Sequence, residues 1–139
     1  MANKKSVQAW FKKANEDLFA ARFLHSSKSP KAFVPIAFHC QQVIEKSLKG
    51  FLTFHSKKIE KTHDLKEVLS WVIEIDASLE KSLKDTPLLT PFAVAYSYPD
   101  ALIKDLSLAD VDSFIKMTDI AYNEILSRIP FDSVFDGAE

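Results

Sequence analysis

The stretch Phe38-His39-Cys40-Gln41-Gln42-Val43-Ile44-Glu45-Lys46-Ser47-Leu48-Lys49 decides the reading of the fold. At roughly 100° per residue, Cys40, Val43, Ile44 and Leu48 fall on one arc of a helix. Ile36, Ala37, Phe51 and Leu52 extend that arc on either side. His39, Gln42, Glu45, Lys46 and Lys49 form a polar arc. Gln41 lies inside the apolar one, where an amide needs hydrogen-bonding partners. The pattern predicts a helix from Pro30 to about Phe54, with Ser29 as N-cap and Pro30 as its first residue. Pro35 is close enough to the start to be tolerated, or it marks the true start.

Working outward, Val7, Phe11, Ala14, Leu18 and Ala21 recur at spacings of four and three. They predict a first helix from about Ser6 to Ser27. Phe19 and Phe23 are read as widening its core face; the alternative is an exposed dimer surface. Asp64 and Glu67 are spaced as an N-cap with a reciprocal partner, opening a third helix whose face runs from Leu65 to Leu79. Pro87, Pro91 and Pro99 leave room for one short helix, Pro91–Tyr96 with Thr90 as cap. Ser107 and Asp110 predict a capping box for the last helix, which Pro130 ends.

The expected fold class is therefore all-α, an up-and-down four-helix bundle with one additional short helix. The expected single domain covers residues 1–130, followed by a short, acidic, frayed tail at 131–139. Composition agrees. Of 139 residues 47% are hydrophobic and 27% charged, as in an ordinary globular domain. Gly50 and Gly137 are the two glycines, too few for tight hairpins or a glycine-rich phosphate loop.

Cys40 is the one cysteine, which rules out an intrachain disulfide and points to a reducing, cytoplasmic compartment. Met1-Ala-Asn-Lys-Lys-Ser has no apolar core and does not read as a signal peptide. No apolar run is long enough to span a bilayer, so no membrane association is expected. A formal net charge of −1 gives no global attraction to nucleic acid.

Several chemistries are set aside on spacing. Glu60-x-x-His63 is one metal-bundle pair without a second copy, so no metal and no cofactor are expected. Cys40 faces the apolar arc and reads as a buried structural thiol, not a nucleophile. His39 only weakly meets the exposure that histidine phosphotransfer needs, and Lys49 and Gly50 come ten and eleven residues later, beyond the two turns within which that chemistry places them, which leaves phosphotransfer an outside alternative.

Gln42, Glu45, Lys46 and Lys49 fall at i, i+3, i+4 and i+7 and share a face. The plain reading is a solvated face stabilised by a Glu45–Lys49 pair. The sharper one joins it to the lysines beyond. Residues 46–61 hold five lysines against Glu60, a local charge of +4 able to attract the phosphates of a nucleotide or RNA.

The quoted stretch resembles the second-helix signature of the HEPN family, whose name refers to higher eukaryotes and prokaryotes and to nucleotide binding. Trp10 with Asn15-Glu16-Asp17-Leu18 is similar to the family's first helix. Thr62-His63-Asp64-Leu65 resembles its loop into the third helix, and Tyr98-Pro99-Asp100 resembles its Arg-Tyr-Pro-Asp segment. The resemblance covers roughly Trp10 to Ile129. It implies a homodimer and a partner, a minimal nucleotidyltransferase, in a toxin–antitoxin-like pair. It also implies binding candidates Gln42, Glu45, Lys46, Lys49, His63, Ser97, Tyr98 and Asp100. Many members are metal-independent ribonucleases that use an Arg followed a few residues later by a His, the Arg stabilising phosphorane charge and the His moving a proton. Here Ser97 stands at the Arg position and no His follows His63, so the family's ribonuclease motif is not expected. The expectation is a nucleotide-binding or interaction subunit without catalytic residues. The alternatives are a ribonuclease with a rearranged site built on His63 and lysines, or a plain dimerisation module.

Overall fold

Side-chain caps and prolines set where the helices begin in the computed structural model, which describes residues 3–95 and 105–135. Among these residues are seven α-helices: α1 (Lys4–Ser26), α2 (Phe33–Phe54), α3 (Leu65–Ile75), α4 (Glu80–Leu83), α5 (Phe92–Ala95), α6 (Leu108–Leu126) and α7 (Phe131–Val134). Four are long and build the bundle. The other three are single turns, where one short helix was expected.

The Asn3 side chain accepts from the N–H groups of Lys5 and Ser6, so α1 starts slightly ahead of the expected Ser6. Its predicted stripe, Val7, Phe11, Ala14, Leu18 and Ala21, is buried. Ser29 caps as expected, but what it opens is a 3₁₀ turn, Pro30–Ala32; the α-helix proper begins at Phe33. Pro35 then lies in the first turn of α2, where its missing N–H leaves no bond unmade.

The Asp64 side chain caps α3 by accepting from Lys66 N–H. The reciprocal bond expected from Glu67 is replaced, because Asp64 N–H goes to Thr62 Oγ1 at 3.1 Å. Extended backbone at Asp76 stops α3 at Ile75. Leu79, read as part of that helix, is buried from the following 3₁₀ turn instead. Thr90 does not cap α5; its hydroxyl accepts from Leu65 N–H, the first residue of α3, at 3.1 Å. Ser107 and Asp110 exchange both bonds of the predicted capping box, at 3.1 and 2.9 Å. Beyond Pro130 the chain is not frayed at once: α7 buries Val134 and packs against α1.

Packing places α2 at the centre, in contact with α1, α3, α5 and α6. Cross-pairs such as Phe11 with Gly50 and Asp17 with Lys46 show that α1 and α2 run antiparallel. A Cβ at position 50 would lie 2.6 Å from Phe11 Cε2, so only glycine lets the two helices approach this closely. That contact explains a mid-helix glycine that costs about 1 kcal/mol relative to alanine in propensity. Among the described residues no helix is long and apolar enough to cross a membrane.

Candidate functional site

α2 carries two polar clusters that are enclosed by neighbouring elements, in place of the solvated face its pattern suggests. In the first, Glu45 and Lys49 are only 4% and 6% exposed. Lys49 Nζ donates to Glu45 Oε2 at 3.0 Å and to the backbone carbonyl of Thr62 at 2.9 Å. The same ammonium sits 5.9 Å from the centre of the Trp10 ring. Gln41 Nε2 donates to Glu45 Oε1 at 2.9 Å, and Gln42 Nε2 donates to Gln41 Oε1 at 2.6 Å. His63 Nδ1 lies 2.9 Å from Glu45 Oε1.

Burying two ions costs several kcal/mol each, which their mutual attraction offsets only when the remaining donors and acceptors are also paired. Here they are. Burial alone would push the Glu45 carboxyl up. Hydrogen bonds from Gln41, His63 and Lys49, with the Lys49 charge, outweigh that and hold it below the usual carboxylate range. An ionised carboxylate can only accept, so the proton of a neutral His63 sits on Nδ1 and its basic nitrogen is Nε2. The His63 side chain is 65% exposed, so a buried carboxylate orients an imidazole that solvent reaches.

The second cluster joins α1 to α2. Asp17 takes His39 Nδ1 on one oxygen at 2.9 Å and Lys46 Nζ on the other at 2.5 Å. Burial raises the Asp17 carboxyl, but the His39 and Lys46 bonds and charges prevail and leave it lowered. His39 and Lys46 are thus tied to one carboxylate in a part-buried seam. Cys40 is fully buried, and desolvation pushes its thiol up to about 12, as expected for an inert core cysteine.

Of the residues singled out in the sequence, Gln42, Glu45, Lys49 and His63 come together in one network. Lys46 belongs to the other. Ser97, Tyr98 and Asp100 lie outside the described residues. The ammonium groups of Lys46 and Lys49 are matched by Asp17 and Glu45, so the lysine-rich patch reduces to Lys57, Lys58 and Lys61, all exposed on the connection that ends at His63. Among the described residues, no three His, Cys, Asp or Glu side chains gather as a metal-binding group. Asp17 as the joint partner of His39 and Lys46, and Trp10 as a lid over Lys49, have no signal in the sequence. Asp17 is 22 and 29 residues from those partners, beyond any local spacing rule. Gln41, an amide in an apolar arc, was the one visible sign of the buried network.

The model of the HEPN domain family matches residues 7–127. The chain belongs to the HEPN family. Among solved structures, a crystal structure of ST0689, described as an archaeal HEPN homologue, is similar to it. The likeness has a TM-score of 0.68 at 23% identity, covering 89% of this chain and 98% of the other. At that identity it speaks for the shared fold. No curated protein matches the chain.

Proposed function

We propose that this HEPN protein is a nucleotide-binding subunit that works, as a homodimer, with a minimal nucleotidyltransferase in a toxin–antitoxin-like pair. One observation carries the nucleotide half: His63, oriented by buried Glu45, ends an exposed connection that also holds Lys57, Lys58 and Lys61. Three lysines on the connection that leads into this imidazole, with Glu60 the one acid among them, suit the oxygens of a polyphosphate as point charges, and His63 as a directed donor. The nucleotidyltransferase half rests on what HEPN membership implies. Lys49, enclosed by Glu45, Thr62 and Trp10, acts in this reading as an internal support.

Thermal shift with ATP and GTP at millimolar concentration tests the reading. Stabilisation by a few degrees is expected, lost in a Lys57→Ala/Lys58→Ala/Lys61→Ala variant. Stabilisation that survives the triple variant would move the ligand elsewhere; none at all would remove it. Co-purification with a nucleotidyltransferase encoded next to this chain tests the partner half.

The Glu45–His63 geometry favours one second reading, RNA cleavage. A carboxylate-held Nδ1–H leaves Nε2 as a base at the surface, the arrangement of a general acid–base histidine. Incubation of the purified protein with RNA tests it, with cleavage abolished in His63→Ala as the supporting result. Intact RNA rejects it.

A further inference from the structure

α1 turns two aromatic rings away from its own core. Phe19 and Phe23 are 70% and 67% exposed, and their rings stack at 6.1 Å with 23° between planes. One turn apart on one side, they form a contiguous apolar patch of the kind that marks a protein contact. Beside them is a hollow of about 350 Å³ lined by Asn15, Leu18, Phe19, Arg22 and Phe23.

The first four of these residues stand at i, i+3, i+4 and i+7, the four positions that frame a hole on a helix surface. Leu18, almost fully buried, gives the hole an apolar floor. Arg22 is drawn aside by an ion pair with Asp119 of α6. Phe23 projects one turn further along the same face. Hole and knob therefore lie on one helix, separated along its axis.

We propose that two copies of the chain pair through antiparallel α1 helices, with Phe23 of each filling the Asn15/Leu18/Phe19/Arg22 hole of the other. The midpoint between hole and knob falls near the level of Ala21, which places the twofold axis there. A face with a hole and a knob on either side of a midpoint is complementary to itself under a twofold, and an isologous dimer requires that. In this register Phe19 meets the partner's Phe23, Glu16 meets the partner's Ser26, and Asn15 meets the partner's Ser27. The like charges that face each other there are the two Arg22 side chains, one residue either side of the twofold, each drawn off by its own Asp119. The two rings contribute roughly 200–300 Å² per protomer, from about 150–250 Å² for a wholly buried aromatic. A stable interface needs about 800 Å² per partner, so they are its anchor and the polar flanks of α1 its rim. This inference deepens the homodimer part of the reading above and rests on it.

The test measures mass in solution by light scattering for the wild-type chain and for Phe19→Ser/Phe23→Ser. The expected result is a dimer whose dissociation constant rises on the order of 100-fold in the variant, with unchanged helical circular dichroism. Glu16→Cys/Ser26→Cys supplies the register: Cys40 is buried, so mild oxidation should give a covalent dimer through positions 16 and 26. A wild-type dimer that persists in the double Phe variant overturns this interface and leaves the homodimer standing. A monomeric wild-type chain overturns both.

Discussion

The inner side of α2 and the outer side of α1 break the usual partition of residues in opposite directions. On α2, a carboxylate and an ammonium are enclosed by protein; on α1, two phenyl rings stand in solvent. The reason lies in how many neighbours each helix has. α2 touches α1, α3 and α5 as well as α6, so even its polar arc is roofed, by Trp10 and by the connection carrying Thr62 and His63. α1 lies at the margin of the bundle, against α2, α6 and α7, with one side left over. Leaving a Phe exposed forgoes about 1.5–3 kcal/mol of burial, and burying an ion costs several. Neither departure serves stability by itself, which is why both places draw functional readings.

Substitutions that exchange inside and outside should test this contrast, beginning with the largest effect. Phe11→Ala, on the inner side of α1, should cost about 3–5 kcal/mol in urea unfolding, because it empties the space against Gly50. Next, Lys49→Met should cost about 3 kcal/mol or more by leaving Glu45 buried without its counter-ion. Adding Glu45→Leu should recover only part of that loss, because buried Gln41 then loses its carboxylate acceptor. A Lys49→Met variant as stable as wild type would mean that water already reaches the pair.

Acid should act on the same interior, and the sign follows from the lowered carboxyls. Both Glu45 and Asp17 hold their protons less tightly when folded than their reference values of 4.5 and 3.8 imply. Their contribution is thus complete above those references and lost as pH falls through the depressed folded values. Unfolding midpoints should drop as the solution is acidified below about pH 4.5, and Glu45→Gln should flatten that slope. A slope unchanged by Glu45→Gln would assign acid sensitivity to other carboxylates. The smallest effect belongs outside: Phe19→Ala should change monomer stability by no more than about 0.5 kcal/mol, the usual range for surface positions. Equal costs for Phe11→Ala and Phe19→Ala would erase the distinction between the two sides of α1.

Much of the fold was legible because its signals are local. The Ser107–Asp110 capping box, the Ser29-Pro30 start and the inner stripe of α1 each depend on residues within a few positions. The candidate site was legible only in part. Its residues Gln42, Glu45 and Lys49 share a helix face by spacing, but their burial depends on Trp10 and Thr62, which reach them only after folding. Phe19 and Phe23 misled for the converse reason: hydropathy shows which side chains would gain from cover, and not whether the chain itself provides it. Thr90 was assigned to its sequence neighbour α5 and in fact serves α3, 25 residues back.

One latch has a topological consequence. Gln8 Nε2 holds the carbonyls of Asp132 and Phe135 at 3.1 and 3.2 Å, and Lys4 pairs with Asp132 at 3.3 Å. The first turn of α1 and the last described turn of the chain are therefore stitched side by side, and the backbone traces an almost closed circuit. A circuit can be opened elsewhere. A circular permutant that links Phe135 to Asn3 through a short flexible segment and begins anew within the exposed 55–58 stretch should keep the bundle, since the order of the helices around the circuit is unchanged.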